Sequence, residues 1–158
     1  MKNNGVKKYF FILFTLILFI KPTYALVQIN NLADYAFGNL SPPYTTVSMI
    51  KNVCVYNSAS DRYRVRATGL NNVAKNQRLK RTGSAVYIIY AVNWSETTTA
   101  AFTKIDANGF LNANGASSVQ NCTSGTFARL QIQIAASALS GAVNGTYTDT
   151  LSIIIEPR

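Results

Sequence analysis

GTYTDTLSIIIEPR, Gly145 to Arg158, closes the chain. Tyr147, Leu151, Ile153 and Ile155 share one parity and Thr146, Thr148, Thr150, Ser152 and Glu156 the other, with Asp149 and Ile154 as the breaks. Such a period of two marks a β-strand buried on one face, and Asn144-Gly145 supplies the turn before it. The sequence ends three residues after Ile155, so no later segment is expected to cover the outer edge of this strand. An apolar strand with an open edge needs a partner, and what closes the edge becomes the functional question.

Working back from that strand, the same period recurs. Thr126 to Ala135 sets Leu130, Ile132 and Ile134 inward against Arg129, Gln131 and Gln133. Ser84 to Trp94 is dense in β-branched and aromatic residues and reads as a central strand covered on both faces, with Trp94 in the core. Tyr63, Val65 and Ala67 alternate with Arg62, Arg64, Arg66 and Thr68; Val47 to Tyr56 and a weak segment from Leu26 complete the longer strands. Gly69 to Gly83 is polar and basic and reads as a loop or hairpin end, while AASALSGA has room for one helical turn. Short strands are expected near Ala101 to Ile105 and Phe110-Leu111, around the Asp106-Ala107-Asn108-Gly109 turn. Neither that turn nor Asn112-Ala113-Asn114-Gly115 has the spaced acidic ligands of a calcium loop. About seven strands without an amphipathic helix predict an all-β sandwich.

The first 25 residues stand apart. Lys2, Lys7 and Lys8 precede an apolar run from Tyr9 to Ile20, and Pro22-Thr23-Tyr24-Ala25 has the form of a cleavage region, so residues 1–25 read as a secretory leader and 26–158 as one domain. As a membrane anchor the run falls well short of the ~20 residues a spanning helix needs, and no membrane span is expected after cleavage. The leader carries four of the 15 Lys+Arg and none of the six Asp+Glu, so the net charge falls from +9 to +5 on its removal. This excess is milder than nucleic-acid binding calls for. The Arg62, Arg64 and Arg66 stripe reads as a solvated face that keeps strands from sticking, with a binding surface for an acidic sugar or partner as the other reading.

Catalytic chemistry has little to stand on. No histidine is present, the six acids (Asp34, Asp61, Glu96, Asp106, Asp149 and Glu156) are scattered singly, and no nucleophile, metal or phosphate-binding motif is found. No enzyme activity, cofactor or nucleic-acid partner is expected. The cysteines number two, Cys54 and Cys122, and an isolated pair in an exported chain is expected to form one disulfide. The Asn-x-Ser/Thr triplets at Asn93, Asn121 and Asn144 are of a kind that arises readily by chance in a chain so rich in these residues.

One resemblance extends over nearly the whole domain. Cys122, the ARLQIQI run, a small-residue linker and GTYTDTLSIII, preceded in order by Phe37-Gly38, Cys54-Val55, YRVRATG from Tyr63 to Gly69 and Tyr90 to Trp94, resemble the spore coat protein U domain, shared with pilins of archaic chaperone–usher pili. The resemblance implies an immunoglobulin-like sandwich left one strand short. Its exposed core would be covered first by a periplasmic chaperone and then, at an outer-membrane usher, by a strand of the next subunit. It implies a non-enzymatic structural or adhesive pilus or coat subunit, passing through the periplasm to the cell surface or an extracellular fibre. Leu130, Ile132, Ile134, Leu151, Ile153 and Ile155 would line the acceptor groove. A polymerising pilin also needs a donor extension ahead of its first strand, yet only Leu26 to Ala36 precede Phe37. Either Val27 and Ile29 form a short donor segment, or the chain accepts a strand without giving one. Pilins of this kind often bridge their early strands, whereas Cys54 and Cys122 lie far apart. The alternative function is a self-contained secreted sandwich that binds carbohydrate or an acidic partner through the arginine face.

Overall fold

The computed structural model describes residues 25–158; of the leader read over residues 1–25, residues 1–24 lie outside the described residues. Ten strands and one short helix follow in order: β1 Val27–Asn30, β2 Val47–Asn57, β3 Tyr63–Gly69, β4 Gln77–Arg81, β5 Tyr87–Ser95, β6 Thr103–Ile105, β7 Phe110–Ala113, β8 Ala128–Ile134, α1 Ala136–Ser140, β9 Tyr147–Thr148 and β10 Leu151–Pro157. They form a sandwich. One sheet runs β1-β2-β8-β5-β4-β9, with β6 also on β5, and the other runs β10-β3-β7.

The core lies between these layers, and the alternating patterns supply it. Tyr63, Val65 and Ala67 of β3 are fully buried and meet Val53 and Val55 of β2, Ile88 to Trp94 of β5 and Leu130 to Ile134 of β8 at every second position. At its centre Trp94 Nε1–H donates to Tyr63 Oη at 3.0 Å and the rings meet edge to face, with centroids 6.2 Å apart. Burial pushes the Tyr63 hydroxyl pKa well up, so it remains a neutral partner for the indole.

The sequence-based expectations need correcting at three places. The basic stretch Gly69 to Gly83 is not only loop: β4 lies within it, antiparallel to β5. Its alternation was disguised because the inward position ahead of Leu79 is Gln77, buried at 2% exposure yet satisfied by donating to Ala67 O at 2.8 Å and accepting from Gly69 N at 2.7 Å. β5 is covered on one face only, leaving Ile89 at 51% exposure, while the Arg78 guanidinium stacks 4.1 Å from the Tyr87 ring centroid. An aliphatic stem and a planar cation cover an apolar face without a second layer. Finally, the strand expected from Leu26 stops at Asn30, where Asn31 adopts a left-handed φ of 65°. The segment after it, up to Thr46, crosses the sandwich without regular structure.

Cys54 on β2 is bonded to Cys122, with Cα atoms 5.7 Å apart and both residues at most 1% exposed. The bridge ties the long β7–β8 connection to β2, beside a parallel bridge between Tyr56 and Ser117 in which Ser117 N donates to Val55 O at 2.7 Å. The Asp106 to Gly109 turn forms as its residues predict, with Gly109 N donating to Asp106 O at 2.9 Å and Asn108 at φ 64°. It carries the chain from β6 in one sheet to β7 in the other.

Candidate functional site: an open strand edge over an apolar groove

The closing stretch is two strands, and its break is meaningful. Tyr147 and Thr148 pair with Arg81 and Lys80 of β4, whereas Leu151 to Pro157 pair with β3. The chain changes sheets at Asp149-Thr150. Asp149, on the inward parity, holds the crossing: its Oδ2 accepts from Tyr90 Oη at 2.6 Å and its Oδ1 accepts from the backbone N and the Nδ2 of Asn71 at 3.1 and 2.9 Å. Burial, and then the Asp149 carboxylate, keep Tyr90 protonated by raising its pKa. Gly69 lies opposite Leu151 at the tightest point. A Cβ there would overlap the Asp149 carboxylate and lie 2.8 Å from Gln77 Oε1 and 3.1 Å from Tyr90 Oη. Gly69→Ala is therefore expected to lower stability by about 1–3 kcal/mol, the usual effect of overpacking, read as a fall in the thermal midpoint. An unchanged midpoint would mean the crossing is looser than this geometry.

β10 is an edge strand, with β3 on one side and no strand on the other among the described residues. Leu70 N donates to Thr150 O at 2.9 Å. In an antiparallel ladder residues alternate in the direction their N–H and C=O point, so with the observed register Ser152, Ile154 and Glu156 face β3. The backbone groups of Leu151, Ile153 and Ile155 face away, and none finds a backbone partner among the described residues. The residues whose side chains turn inward thus also carry the unpaired ladder groups.

Beside that edge lies a groove of about 340 Å³. Leu151 and Ile153 form one wall, Leu130, Ile132 and Leu79 the floor, and the irregular segment after β1 the other wall, through Leu32 to Tyr35 and Phe37. A cavity of ~150 Å³ holds one benzene ring, so the groove has room for roughly two large side chains. Its far wall is fastened to the floor: Tyr35 Oη donates to Leu130 O at 2.8 Å, Lys51 Nζ donates to Asp34 O, and Lys51 lies 5.1 Å from the Tyr35 ring centroid. Burial pushes the Tyr35 pKa up to about 12.

Of the six residues expected along an acceptor groove, Leu130, Ile132, Leu151 and Ile153 surround this one. Ile134 and Ile155 pack into the core outside it, opposite Val47 and Val65. Sequence reasoning missed the far wall, although Ala33, Tyr35 and Phe37 share a parity, and it passed over Leu79 and Asp149. Val27 and Ile29 sit in β1, antiparallel to Cys54–Asn57 of β2. In the arginine stripe, Arg64 pairs with Glu156 at 2.5 Å, and the Arg64 and Arg66 guanidiniums stand 4.4 and 4.8 Å from the Phe110 ring centroid. Among the described residues no cluster of three or more metal-ligating side chains occurs and no helix is long and apolar enough to cross a membrane.

No family model matches the chain, and no curated protein matches it by sequence. Among solved structures it is similar to a chain in a chaperone–tip adhesin complex of CFA/I fimbriae, with a TM-score of 0.62 and 18% identity over 84% of this chain. The match spans 41% of that chain's length. At this identity the likeness is one of fold, and the fold is a pilin-like β-sandwich.

Proposed function

We propose that this chain is a non-enzymatic structural or adhesive subunit of a surface fibre or coat, exported by its leader and completed by donor-strand complementation. The observation that carries the reading is the free edge of β10, where Leu151 and Ile153 offer backbone hydrogen bonds and apolar side chains to the same opening. An incoming extended strand would continue the β10-β3-β7 sheet and bury two or so side chains in the groove, which is β-augmentation with pockets. Left open, such an edge invites aggregation. That favours a periplasmic chaperone holding the site until an outer-membrane usher passes the chain to a neighbouring subunit. The fold shared with a chain of a fimbrial chaperone–adhesin complex supports this direction.

On this proposal the chain accepts a strand. Val27 and Ile29 serve its own β2, and that strand is tied further by Leu26 N to Ser58 Oγ at 2.9 Å and by Gln120 Nε2 to Gln28 Oε1 at 2.9 Å. The arginine face is a weaker candidate, because Arg64 is already neutralised by Glu156 and stacked on Phe110. The test is to purify the leader-free chain alone and with a capped extended peptide of alternating apolar residues. The peptide should raise the melting temperature and protease resistance and suppress self-association. A chain that is monomeric, protease-resistant and indifferent to every such peptide would overturn the reading.

A further inference from the structure

The groove has a charge that the rest of the protein does not. The mature domain is basic, yet the described residues lining the groove include two carboxylates, Asp34 and Asp149, and no Lys or Arg. They stand on different walls, Asp34 on the segment after β1 and Asp149 at the foot of β10. Among the described residues neither is within ion-pair distance of a cation, whereas Glu156 and Asp106 are both paired. On the Asp34 side, the Lys51 amine is directed at that residue's carbonyl and at the Tyr35 ring. Asp149 is held by neutral donors alone, so its charge is oriented without being cancelled. Within so small a groove, one long cationic side chain can reach either wall.

Resting on the acceptor reading, we propose that the occupant is an extended strand of a different polypeptide, apolar at alternate positions and bearing one lysine or arginine that lies between Asp34 and Asp149. The chain's own Leu26 to Asn31, LVQINN, has the apolar alternation and no cation, so a second copy of this segment is the poorer fit. Specificity then comes from both terms. Leu151, Ile153, Leu130 and Ile132 accept any alternating apolar strand, while the carboxylates discriminate among such strands by charge.

The test measures binding of four end-capped fluorescent peptides to the leader-free chain by anisotropy, at low and high salt. One alternates Val and Ile with a single Lys beside the apolar positions, the second and third replace that Lys by Gln and Glu, and the fourth is LVQINN. The Lys peptide should bind about two- to fivefold tighter than the Gln peptide for each carboxylate engaged, the Glu peptide weakest, and the spread should shrink with salt. Asp34→Asn, whose carboxylate makes no hydrogen bond or ion pair within the described fold, should remove part of the preference without moving the melting temperature. Asp149→Asn should remove the remainder, with its own melting curve as the control for folding. Equal affinity for Lys and Gln peptides, or a preference that survives both variants, overturns the charge selection and leaves strand acceptance standing. Tightest binding by LVQINN overturns it in favour of a second copy. Failure of all four to bind overturns strand acceptance together with it.

Discussion

Replacing both Cys54 and Cys122 by alanine should lower the unfolding free energy by about 4 kcal/mol, the chain-entropy estimate for a bridge closing 68 residues. For a domain of this size that is a fall in melting temperature on the order of 10 °C. Three features make the estimate applicable. Both cysteines are buried, so alanine leaves no unsatisfied polar group where serine would. The connection that Cys122 anchors is otherwise held by turns, by the Tyr56–Ser117 bridge and by a few hydrogen bonds at Asn114, Ala116 and Gln120. And Cys54 sits where β2 passes from pairing with β8 to pairing with β1, so the bridge constrains the strand that β1 pairs with among the described residues. Calorimetry of the double variant against the oxidised wild type gives the answer. A midpoint within about two degrees would show that the connection is held by its hydrogen bonds and that the denatured chain is compact without the bridge.

The parts of the fold that could be read from the sequence are those in which one side of a strand is apolar and the other polar. β3 and β8 alternate without fault because each has one face on the core and one in solvent, and Tyr63 to Ala67 and Leu130 to Ile134 stand where their parity puts them. β4 was hidden because a glutamine takes an inward place. Gln77 can do so only because Ala67 O and Gly69 N satisfy it, and those partners arrive through tertiary contact with β3, beyond any local pattern. The two-face covering expected for β5 failed for a related reason, since nothing local tells a buried outer face from one shaded by Arg78.

The site divides in the same way. Leu151, Ile153, Leu130 and Ile132 follow from periodicity, whereas the open edge of β10 is a matter of sheet order, in which β3 is its one paired neighbour among the described residues. The far wall, Leu32 to Phe37, belongs to a segment with no hydrogen-bond ladder of its own. Its position is set by Tyr35 Oη on Leu130 O and by Lys51, contacts with residues 95 and 17 positions away. Asp149 looked like a flaw in an otherwise alternating strand. It is the residue that turns the chain from one sheet to the other, and an inward carboxylate is tolerated there because Tyr90 and Asn71 donate to it.

Proline scanning of β10 separates folding from strand acceptance. Because Ser152 faces β3 and Ile153 faces the open edge, Ile153→Pro removes an N–H that has no backbone partner within the described fold, a position where an edge strand tolerates proline. The extended residue before it already has the conformation that proline demands. The variant should therefore keep its β3 pairing and lose stability chiefly through the smaller side chain. The incoming strand, however, would have one of its own carbonyls left without a donor, which costs about 1–3 kcal/mol or roughly 5- to 150-fold in affinity. Ile153→Ala is the matched control: it deletes the apolar contact and keeps the N–H, so the difference between the two isolates the ladder from the groove. Ser152→Pro should do the opposite, breaking a bond to Thr68 and lowering the melting temperature more than either Ile153 variant. Equal stability losses at 152 and 153, or peptide affinity untouched by Ile153→Pro, would mean that β10 does not present its edge in this register and that an occupant of the groove is held by side chains alone.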